Sequence, residues 1–209
     1  FVPGQVWGQE VPAGAARLRQ LGQVIGGLST ALATTDCAAA CVTHAWDLAQ
    51  SGQHHEHLGV VDDAARRDLL QRIFDRWPAV LQQLARVPHG VIHGDLNDDN
   101  LLLQDGRLSG VLDFGDALWN PLVADLAIAL AYVLLDEPWP WSAGATVVAG
   151  YRERRPLRAA EVELLFPLIC LRLAVSVLTS ARRRRLDPGR AAWFVSERRA
   201  WAWLERYGD

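Results

Sequence analysis

One stretch decides how this chain is interpreted: His93-Gly94-Asp95-Leu96-Asn97-Asp98-Asp99-Asn100. A second motif, Asp113-Phe114-Gly115-Asp116, begins thirteen residues after Asn100. Together they supply three oxygen-bearing side chains, those of Asp95, Asn100 and Asp113. A His-x-Asp with an Asn five residues beyond the Asp has only three fixed positions, so on its own it could be a coincidence.

The sequence around the motifs favours function over coincidence. Residues 90–92 are predicted to form a short strand that enters the polar loop, and residues 101–103 and 108–112 to form two more. Asp105-Gly106 separates the last two, and Asp-Gly between apolar runs is a strong hairpin signal. Such a hairpin would return Asn100 and Asp113 to the same end of adjacent strands.

This arrangement is typical of phosphoryl transfer. The transition state in that chemistry is loose, so the protein mainly positions the acceptor hydroxyl and neutralises phosphate charge through metal ions. We predict that Asp95 is the catalytic base, which accepts the proton of the attacking hydroxyl. Asn100 and Asp113 are the predicted cofactor-binding residues, because Mg²⁺ prefers oxygen ligands.

The two motifs resemble the catalytic loop and metal-binding strand end of the aminoglycoside phosphotransferase and choline kinase superfamily. More narrowly, the chain resembles the hydroxylysine-kinase-like branch, which includes phosphotransferase domains fused to class III aminotransferases. The narrower resemblance rests on segments that span nearly the whole chain: Phe1-Val2-Pro3-Gly4, Trp46-Asp47-Leu48, His93 to Asn100, Asp113 to Asp116, Leu171 to Val177, and Val195-Ser196-Glu197 with Trp201.

The resemblance implies an α+β, mostly helical fold: the C-terminal lobe of a protein-kinase-like fold, with a small β-hairpin carrying the catalytic loop. It implies ATP or GTP as the phosphoryl donor and Mg²⁺ as the cofactor. The implied acceptor is a small hydroxylated amine or amino acid, such as hydroxylysine, an amino alcohol or an aminoglycoside. A fused aminotransferase domain is a further partner that the resemblance allows.

One departure from the family pattern concerns its nucleotide-binding N-terminal lobe. That lobe carries a phosphate-covering loop and a Lys that contacts phosphates. Here all 21 basic residues are Arg, and there is no Met. We therefore expect residues 1–209 to be a single domain, the C-terminal lobe, with the N-terminal lobe absent. The missing lobe is thus an expected partner, and the fragment alone is expected to have little or no activity.

Composition narrows the partners and the location. With 209 residues, half of them hydrophobic, the chain can bury a substantial core as one domain. A net charge of −3 gives no global attraction to nucleic acid or to an anionic membrane, so small molecules are the expected partners. Cys37, Cys41 and Cys170 are too few and scattered for a disulfide framework. This cysteine usage, together with nucleotide use, favours a cytoplasmic location.

Apolar spacing predicts helices on both sides of the motifs, with residues 34–61 irregular. The first expected helix is Ala15 to Leu32, and the second is capped by Asp62 or Asp63 and ends near Leu84. The others are Pro121 to about Leu135, 142–152, 159–184 and 191–207. The long apolar stretch Val162 to Ala181 contains Glu163, Pro167 and Arg172. These residues favour a buried core helix over a membrane span, and Pro167 is expected to kink it.

Two residues are predicted to support the catalytic loop. His93 could be a second base, but in this pattern it more often holds the loop through hydrogen bonds. Asp125 lies on the otherwise apolar segment Leu122 to Ala127, where a buried carboxylate must be paired. Its expected partner is the loop backbone or His93, as in the family, and direct substrate contact is the alternative.

Further loop residues are candidates for substrate contact. Asp116 is a plausible contact for an amine or a hydroxyl. Asp98 and Asp99 would attract Mg²⁺ or a cationic amine, yet loop aspartates are commonly just solvated, and the role of Asn97 stays open for the same reason.

The predicted long helix carries a polar stripe of Arg172, Ser176, Thr179 and Arg183 at steps of four, three and four. If the stripe faces the cleft, Arg172 and Ser176 contact substrate, and Arg172 could bind a carboxylate with two donors. The alternative is a core Arg paired with Asp125 or Glu197, while Ser and Thr bond their own backbone.

Two residues far upstream are also substrate candidates. Asp47 could pair with an ammonium group while Trp46 offers an aromatic face. The structural alternative is a helix start with a packed Trp.

Two charged or metal-like runs have simpler interpretations. His54-His55-Glu56-His57 lacks the spacing of a metal site and is interpreted as a solvated loop. Arg182 to Arg185 are predicted to lie at a helix C-terminus, where basic residues complement the helix dipole.

A second hypothesis belongs to another class. The chain could be a degenerate kinase lobe that binds an amine, or that regulates an attached enzyme without catalysis. The presence of Asp95, Asn100 and Asp113 argues against degeneracy.

Overall fold

The computed structural model describes residues 3–7, 13–35, 46–186 and 197–208. Its strands are β1 (Gln5–Val6), β2 (His89–Ile92), β3 (Leu101–Gln104), β4 (Arg107–Val111) and β5 (Leu118–Pro121). Its helices are α1 (Ala15–Leu32), α2 (Ala64–Asp75), α3 (Trp77–Leu84), α4 (Val123–Val133), α5 (Pro140–Arg152), α6 (Ala159–Leu186) and α7 (Glu197–Tyr207), with a 3-10 segment at Leu48–Val60. The mostly helical α+β prediction is confirmed.

The predicted hairpin is present. β3 and β4 pair antiparallel from Leu101 opposite Val111 to Gln104 opposite Arg107. Asp105 and Gly106 both have positive φ, 52° and 72°, as a tight two-residue hairpin turn requires. β1, which the sequence did not predict, adds to the other edge of β3.

A second, two-stranded sheet leads into the catalytic loop. β2 pairs antiparallel with β5, from His89 opposite Pro121 to Ile92 opposite Leu118. Pro121 therefore ends a strand, and the helix predicted to begin there starts at Val123. Because β2 ends at Ile92 and β5 follows the second motif, this pairing brings the two motifs together.

The helical core surrounds α4, every residue of which is buried. α4 packs along α6, while α1 packs against α5. The α1–α5 contact is very close: a Cβ on Gly22 would lie 1.9 Å from the Val147 carbonyl oxygen, and a Cβ on Gly150 would lie 2.0 Å from that of Arg19. Glycine is therefore required on both sides of this helix crossing.

Several details of the helices differ from the prediction. Asp63 caps α2 as expected, but Pro78 lies in the first turn of a separate helix, so the predicted helix ending near Leu84 is split in two. The apolar spacing of Leu69, Ile73, Trp77, Leu81 and Leu84 predicts one buried stripe on that helix, but Leu81 is 43% exposed. Leu48–Val60 is a 3-10 segment within a region predicted to be irregular. Residues 191–196 lie outside the described residues.

Helix α6 runs unbroken through Pro167. It is long and apolar enough to cross a membrane, yet 78% of its most apolar window is buried within the protein. This burial agrees with the prediction of a core helix. Cys170 lies on it as a buried free thiol, and burial raises its pKa to about 12. Cys37 and Cys41 lie outside the described residues.

Candidate active site

The carboxylate of Asp95 is held by three side chains. Asn97 Nδ2 donates to Oδ2 at 2.9 Å, and Asn100 Nδ2 donates to the same oxygen at 3.3 Å. A guanidinium nitrogen of Arg172 donates to Oδ1. The Asp95 side chain is nevertheless 20% exposed. Asp95 is thus oriented by the protein and still open to an incoming molecule.

The loop that carries Asp95 is stabilised by its own polar residues. Asn97 Oδ1 accepts hydrogen bonds from the backbone N–H groups of Asp99 and Asn100, at 2.9 and 3.1 Å. Asn100 Nδ2 also donates to the Asp95 carbonyl oxygen at 2.8 Å. Asn97, whose role the sequence left open, therefore caps the short turn Asp98–Asn100 and fixes the catalytic loop.

Gly94 joins the loop to the second motif. Its φ is +83°, and a Cβ at this position would lie 2.4 Å from the carbonyl oxygen of Asp116. Both the backbone conformation and the close contact exclude a side chain here. The glycine in His-Gly-Asp therefore lets the two motifs touch.

His93 is buried beneath the loop and is hydrogen-bonded at both ring nitrogens. Nε2 lies 2.7 Å from the carbonyl oxygen of Leu112, and Nδ1 lies 3.3 Å from the backbone nitrogen of Asp95. A neutral imidazole meets both contacts by donating from Nε2 and accepting at Nδ1. Its ring packs at 4.6 Å from that of Phe114. These contacts fit a support role and leave no ring nitrogen free to act as a base.

Asp125 supports the same loop from α4. Its two carboxylate oxygens accept the backbone N–H groups of His93 and Gly94, at 2.8 and 2.9 Å. The partner is therefore the loop backbone, one of the two that the sequence suggested. Burial raises the pKa of Asp125, and the two backbone donors offset that effect only in part.

Asn100 and Asp113 lie at the same end of adjacent strands, as the hairpin predicted. Asn100 precedes β3, and its carbonyl oxygen accepts the N–H of Leu112 at 2.9 Å. Asp113 follows Leu112 with φ 58° and ψ 71°, a left-handed conformation that non-glycine residues seldom adopt. Its Oδ1 accepts the N–H of Gly115 at 3.2 Å.

The donor atoms at this hairpin end suit Mg²⁺. The amide nitrogen of Asn100 faces Asp95, so its amide oxygen is the atom left for other ligands, and Asp113 contributes an exposed carboxylate. Mg²⁺ binds few protein oxygens and keeps waters or phosphate oxygens for the rest. Among the residues described, no group of three or more His, Cys, Asp or Glu forms a metal site. Asn100 and Asp113 would not form such a group, because Asn is not among those residue types and only two side chains are involved.

Arg172 is a buried, paired arginine, which was one of the two alternatives. Its partner is Asp95, so the predicted partners Asp125 and Glu197 are wrong. Glu197 instead pairs with Arg184. Burial lowers the pKa of Arg172, but its contacts with Tyr132 and Asp95 outweigh that effect, so its pKa is raised overall.

Asp47 and Trp46 have structural contacts. Asp47 is buried, and its Oδ1 accepts the N–H of Ala49 at 2.7 Å and the amide of Asn120 at 2.6 Å. It caps the 3-10 segment, which favours the structural alternative over an ammonium contact. Trp46 lies beside the active centre, with its ring centroid 4.9 Å from the Arg172 guanidinium.

The remaining substrate candidates are placed as follows. Asp116 is half-buried at the end of the turn Phe114–Asp116, and Ser176 is buried on α6. Asp98 is buried beside Arg199, and its pKa is raised because burial outweighs the attraction of that arginine. Asp99 is exposed.

The two runs set aside as non-functional have ordinary contacts. His55, which lies in the 3-10 segment, contacts Gln71 of α2 at 3.0 Å. His57 contacts Arg182, and Arg185 pairs with Asp62 on the protein surface. His54 to His57 lie within the 3-10 segment, so the predicted loop is wrong, whereas Arg182 to Arg185 lie at the C-terminal end of α6, as predicted.

Sequence reasoning missed Tyr132 and Arg199. Tyr132 accepts a hydrogen bond from Arg172 Nε at 3.1 Å. Arg199 on α7 pairs with both Asp98 and Asp136 and so ties α7 to the catalytic loop. No local signal marks either residue, because each acts through partners at least 40 positions away.

Comparison with known protein families supports a phosphotransferase assignment. Residues 1–161 match the phosphotransferase enzyme family, APH. The chain belongs to this family.

Curated relatives of the chain are named kinases. Hydroxylysine kinase of Mus musculus is 26% identical over 175 residues, which is 78% of this chain and 46% of that protein. Homoserine kinase of Gluconacetobacter diazotrophicus is 35% identical over 175 residues, covering 77% of this chain and 50% of that protein. The chain spans about half the length of the curated relatives that it matches.

Solved structures share the fold. Aminoglycoside 2'-phosphotransferase-IIIa in its GDP complex has a TM-score of 0.66 and 20% identity, covering 100% of this chain and 68% of that one. A microcompartment-associated aminopropanol kinase has a TM-score of 0.63 and 22% identity, covering 94% and 64%. The predicted kinase-like fold is thereby confirmed.

Proposed function

We propose that the complete protein containing this chain transfers the terminal phosphoryl group of ATP or GTP to a hydroxyl of a small amine or amino acid. The observation that carries the proposal is the Asp95 carboxylate, which Asn97, Asn100 and Arg172 orient while part of it stays exposed. A general base needs both that orientation and that access. Membership of the phosphotransferase family supports the same reaction class.

The proposed acceptors follow from the relatives. Hydroxylysine kinase and homoserine kinase are named for hydroxylated amino acids, and aminopropanol kinase for an amino alcohol. A hydroxyl and an amine on a small skeleton are common to all three. We therefore expect a hydroxylated amine or amino acid here, with an aminoglycoside as the larger variant of the same chemistry.

In the proposed mechanism, Asp95 receives the acceptor hydroxyl and accepts its proton as the hydroxyl oxygen attacks the terminal phosphorus of the nucleotide. The bond from that phosphorus to the β–γ bridging oxygen breaks, and ADP or GDP is the leaving group. Asn100 and Asp113 would hold Mg²⁺, which neutralises phosphate charge when bound. His93 and Asp125 hold the loop in place from below. Since phosphoryl transfer depends mainly on positioning, these supports affect the rate without touching the reactants.

The proposal also covers the location of the protein and the domains attached to this chain. We place it in the cytoplasm, where nucleotide donors are abundant, as the single-domain C-terminal lobe of a longer kinase. The N-terminal nucleotide lobe would come from the same protein, and an attached aminotransferase domain is an additional candidate. We propose no role for nucleic acid or a membrane surface.

The complete reading frame that encodes this chain provides the test. ADP or GDP release is followed with ATP or GTP and Mg²⁺ across hydroxylysine, homoserine, amino alcohols and aminoglycosides. Asp95→Asn should lower kcat about 10²- to 10⁴-fold, as expected for loss of a general base. Asp105→Asn is the matched control, because Asp105 lies exposed in the hairpin turn and Asn tolerates its positive φ.

The outcomes separate the candidate functions. Acceptor-dependent turnover that Asp95→Asn abolishes and Asp105→Asn preserves would support the kinase. Acceptor binding without turnover would instead favour the non-catalytic binding module. Turnover that is unchanged by Asp95→Asn would contradict the assigned base.

A further inference from the structure

Arg172 is buried beside Asp95 and held there by several contacts. It is 1% exposed, and all three of its guanidinium nitrogens have partners. Nε donates to the Tyr132 hydroxyl at 3.1 Å, one terminal nitrogen donates to the Trp46 carbonyl at 3.4 Å, and the other donates to Asp95 Oδ1. The rings of Trp46 and Tyr132 lie 4.9 and 5.4 Å from the guanidinium carbon.

This environment holds the guanidinium plane in one orientation. Two aromatic rings contact the cation, and its hydrogen-bond donors point to three different elements of the fold. An arginine so fixed has already lost its rotamer freedom on folding. It can therefore orient a partner without further entropy loss when substrate binds.

The partner carboxylate is divided between two kinds of donor. Asn97 and Asn100 donate to Asp95 Oδ2. In the part of the chain that the structure describes, Arg172 is the hydrogen-bond donor to Oδ1. A carboxylate oxygen has two lone-pair positions, so Oδ1 retains one, on a side chain that is 20% exposed. Oδ1 is thus the oxygen with a lone pair left for the acceptor hydroxyl, whereas Oδ2 already accepts two hydrogen bonds.

We infer that Arg172 is a positioning residue, which aims Oδ1 of Asp95 at the acceptor hydroxyl. The inference rests on the proposed function and adds the residue and the oxygen atom that control its geometry. Arg172 itself touches no reactant. Arg172 is 1% exposed, so a substrate carboxylate has almost no access to its guanidinium group.

The inference predicts which kinetic constant depends on Arg172. Removing it leaves Asp95 present and its Oδ2 contacts intact, but frees Oδ1 to rotate away. A small misplacement of a reacting group can cost about 10²-fold in rate. We therefore expect Arg172→Ala to lower kcat about 10²-fold while the KM for nucleotide stays within about twofold.

Rescue distinguishes positioning from folding. In Arg172→Ala, added guanidinium ion at non-denaturing concentration should enter the space beside Asp95 and restore part of kcat. The same concentration of NaCl should not. Arg172→Lys keeps the charge but not the planar fork, so it should recover less activity than guanidinium does in the Ala variant.

Arg155 provides the matched control. It is also a buried arginine paired with a carboxylate, but its partner is Glu161, and it makes no contact with Asp95. Arg155→Ala should leave the kcat of folded enzyme unchanged, and guanidinium should not raise it. Folded fraction is measured for every variant by circular dichroism and size-exclusion chromatography.

Tyr132→Phe keeps the inference testable if the Arg172 variants do not fold. The ring stays, and only the hydroxyl that holds Nε is lost, so kcat should fall several-fold with an unchanged nucleotide KM. Folded Arg172 variants with wild-type kcat, a loss that guanidinium does not rescue, or a Tyr132→Phe enzyme with wild-type kcat would each overturn the inference. If the wild-type protein shows no Asp95-dependent turnover, the proposed function itself has failed.

Discussion

Two arginine–carboxylate pairs in this protein have opposite settings. In the Arg155–Glu161 pair the nitrogen and oxygen lie 2.8 Å apart, and both side chains are almost completely buried. In the Arg172–Asp95 pair the arginine is also buried, but the carboxylate side chain is 20% exposed. We call Arg155–Glu161 the closed pair, because both side chains are buried, and Arg172–Asp95 the open pair, because its carboxylate is partly exposed.

The closed pair belongs to a network that joins three helices. Arg155 donates to the Tyr151 hydroxyl at 3.0 Å, and Tyr151 donates to Ser29 on α1 at 3.1 Å. Glu161 also accepts the N–H of Arg158 at the start of α6. This network holds α1, α5 and α6 together, whereas the carboxylate side chain of the open pair is partly exposed. Burial of the carboxylate therefore distinguishes the structural pair from the pair that holds the proposed catalytic base.

The largest effect on stability is expected when the closed pair is broken. Arg155→Met in the complete protein leaves Glu161 buried without its cation, which should lower the free energy of unfolding by about 3–5 kcal/mol. Urea denaturation followed by circular dichroism measures this loss. The kcat of the folded enzyme should stay unchanged, and a parallel fall in kcat would show that the two regions are not independent.

A double variant of the closed pair measures how strongly Arg155 and Glu161 stabilise each other. Arg155→Met with Glu161→Met removes both buried charges, and replacement of a buried ion pair by apolar residues is often neutral. The double variant should therefore be more stable than Arg155→Met alone, with a coupling energy of about 0.5–3 kcal/mol. Strictly additive losses would mean that the pair makes no direct contribution. No analogous double variant at Arg172 and Asp95 should regain activity, because the base would be gone.

Asp125 is an intermediate case, a buried carboxylate that accepts hydrogen bonds from two backbone N–H groups. Asp125→Asn replaces one acceptor oxygen by a donor group and leaves one loop N–H unsatisfied. This should lower the free energy of unfolding by about 1–3 kcal/mol. Because that N–H belongs to the loop that carries Asp95, kcat should fall as well. A stability loss with unchanged kcat would show that the loop position does not depend on Asp125.

The features that the sequence predicted correctly depend on residues close together in the chain, unlike the Arg172–Asp95 pair. The hairpin, the Asp63 cap and α1 depend on signals within a few residues, such as Asp105-Gly106, and these predictions are confirmed. The same local signals placed Asn100 and Asp113 at one end of the sheet. His93, Asp95 and Asp125 were identified through motif and family pattern, and the structure now gives their contacts.

Long-range pairings could not be predicted. Arg172 and Asp95 are 77 positions apart, and the sequence suggested Asp125 or Glu197 as the partner instead. The β2–β5 pairing was missed because Pro121 suggested a helix start, although it ends an edge strand where its missing N–H is tolerated. The break before α3 was missed because the apolar stripe continues across it while Pro78 begins a new first turn.

The smallest effect concerns the hydroxyl of Tyr151 in the closed network. Burial raises its pKa above the ordinary value of 10.0, and the contacts with Ser29 and Arg155 offset this only in part. Tyr151→Phe should cost about 0.5–1.5 kcal/mol at neutral pH through the lost hydrogen bonds. Since the folded protein holds this proton more tightly than the unfolded chain, the wild-type advantage should persist below pH 10 and fall as the pH rises above it. Urea denaturation of both proteins from pH 8 to 11 measures the difference, and a constant difference across that range would contradict the buried, protonated hydroxyl.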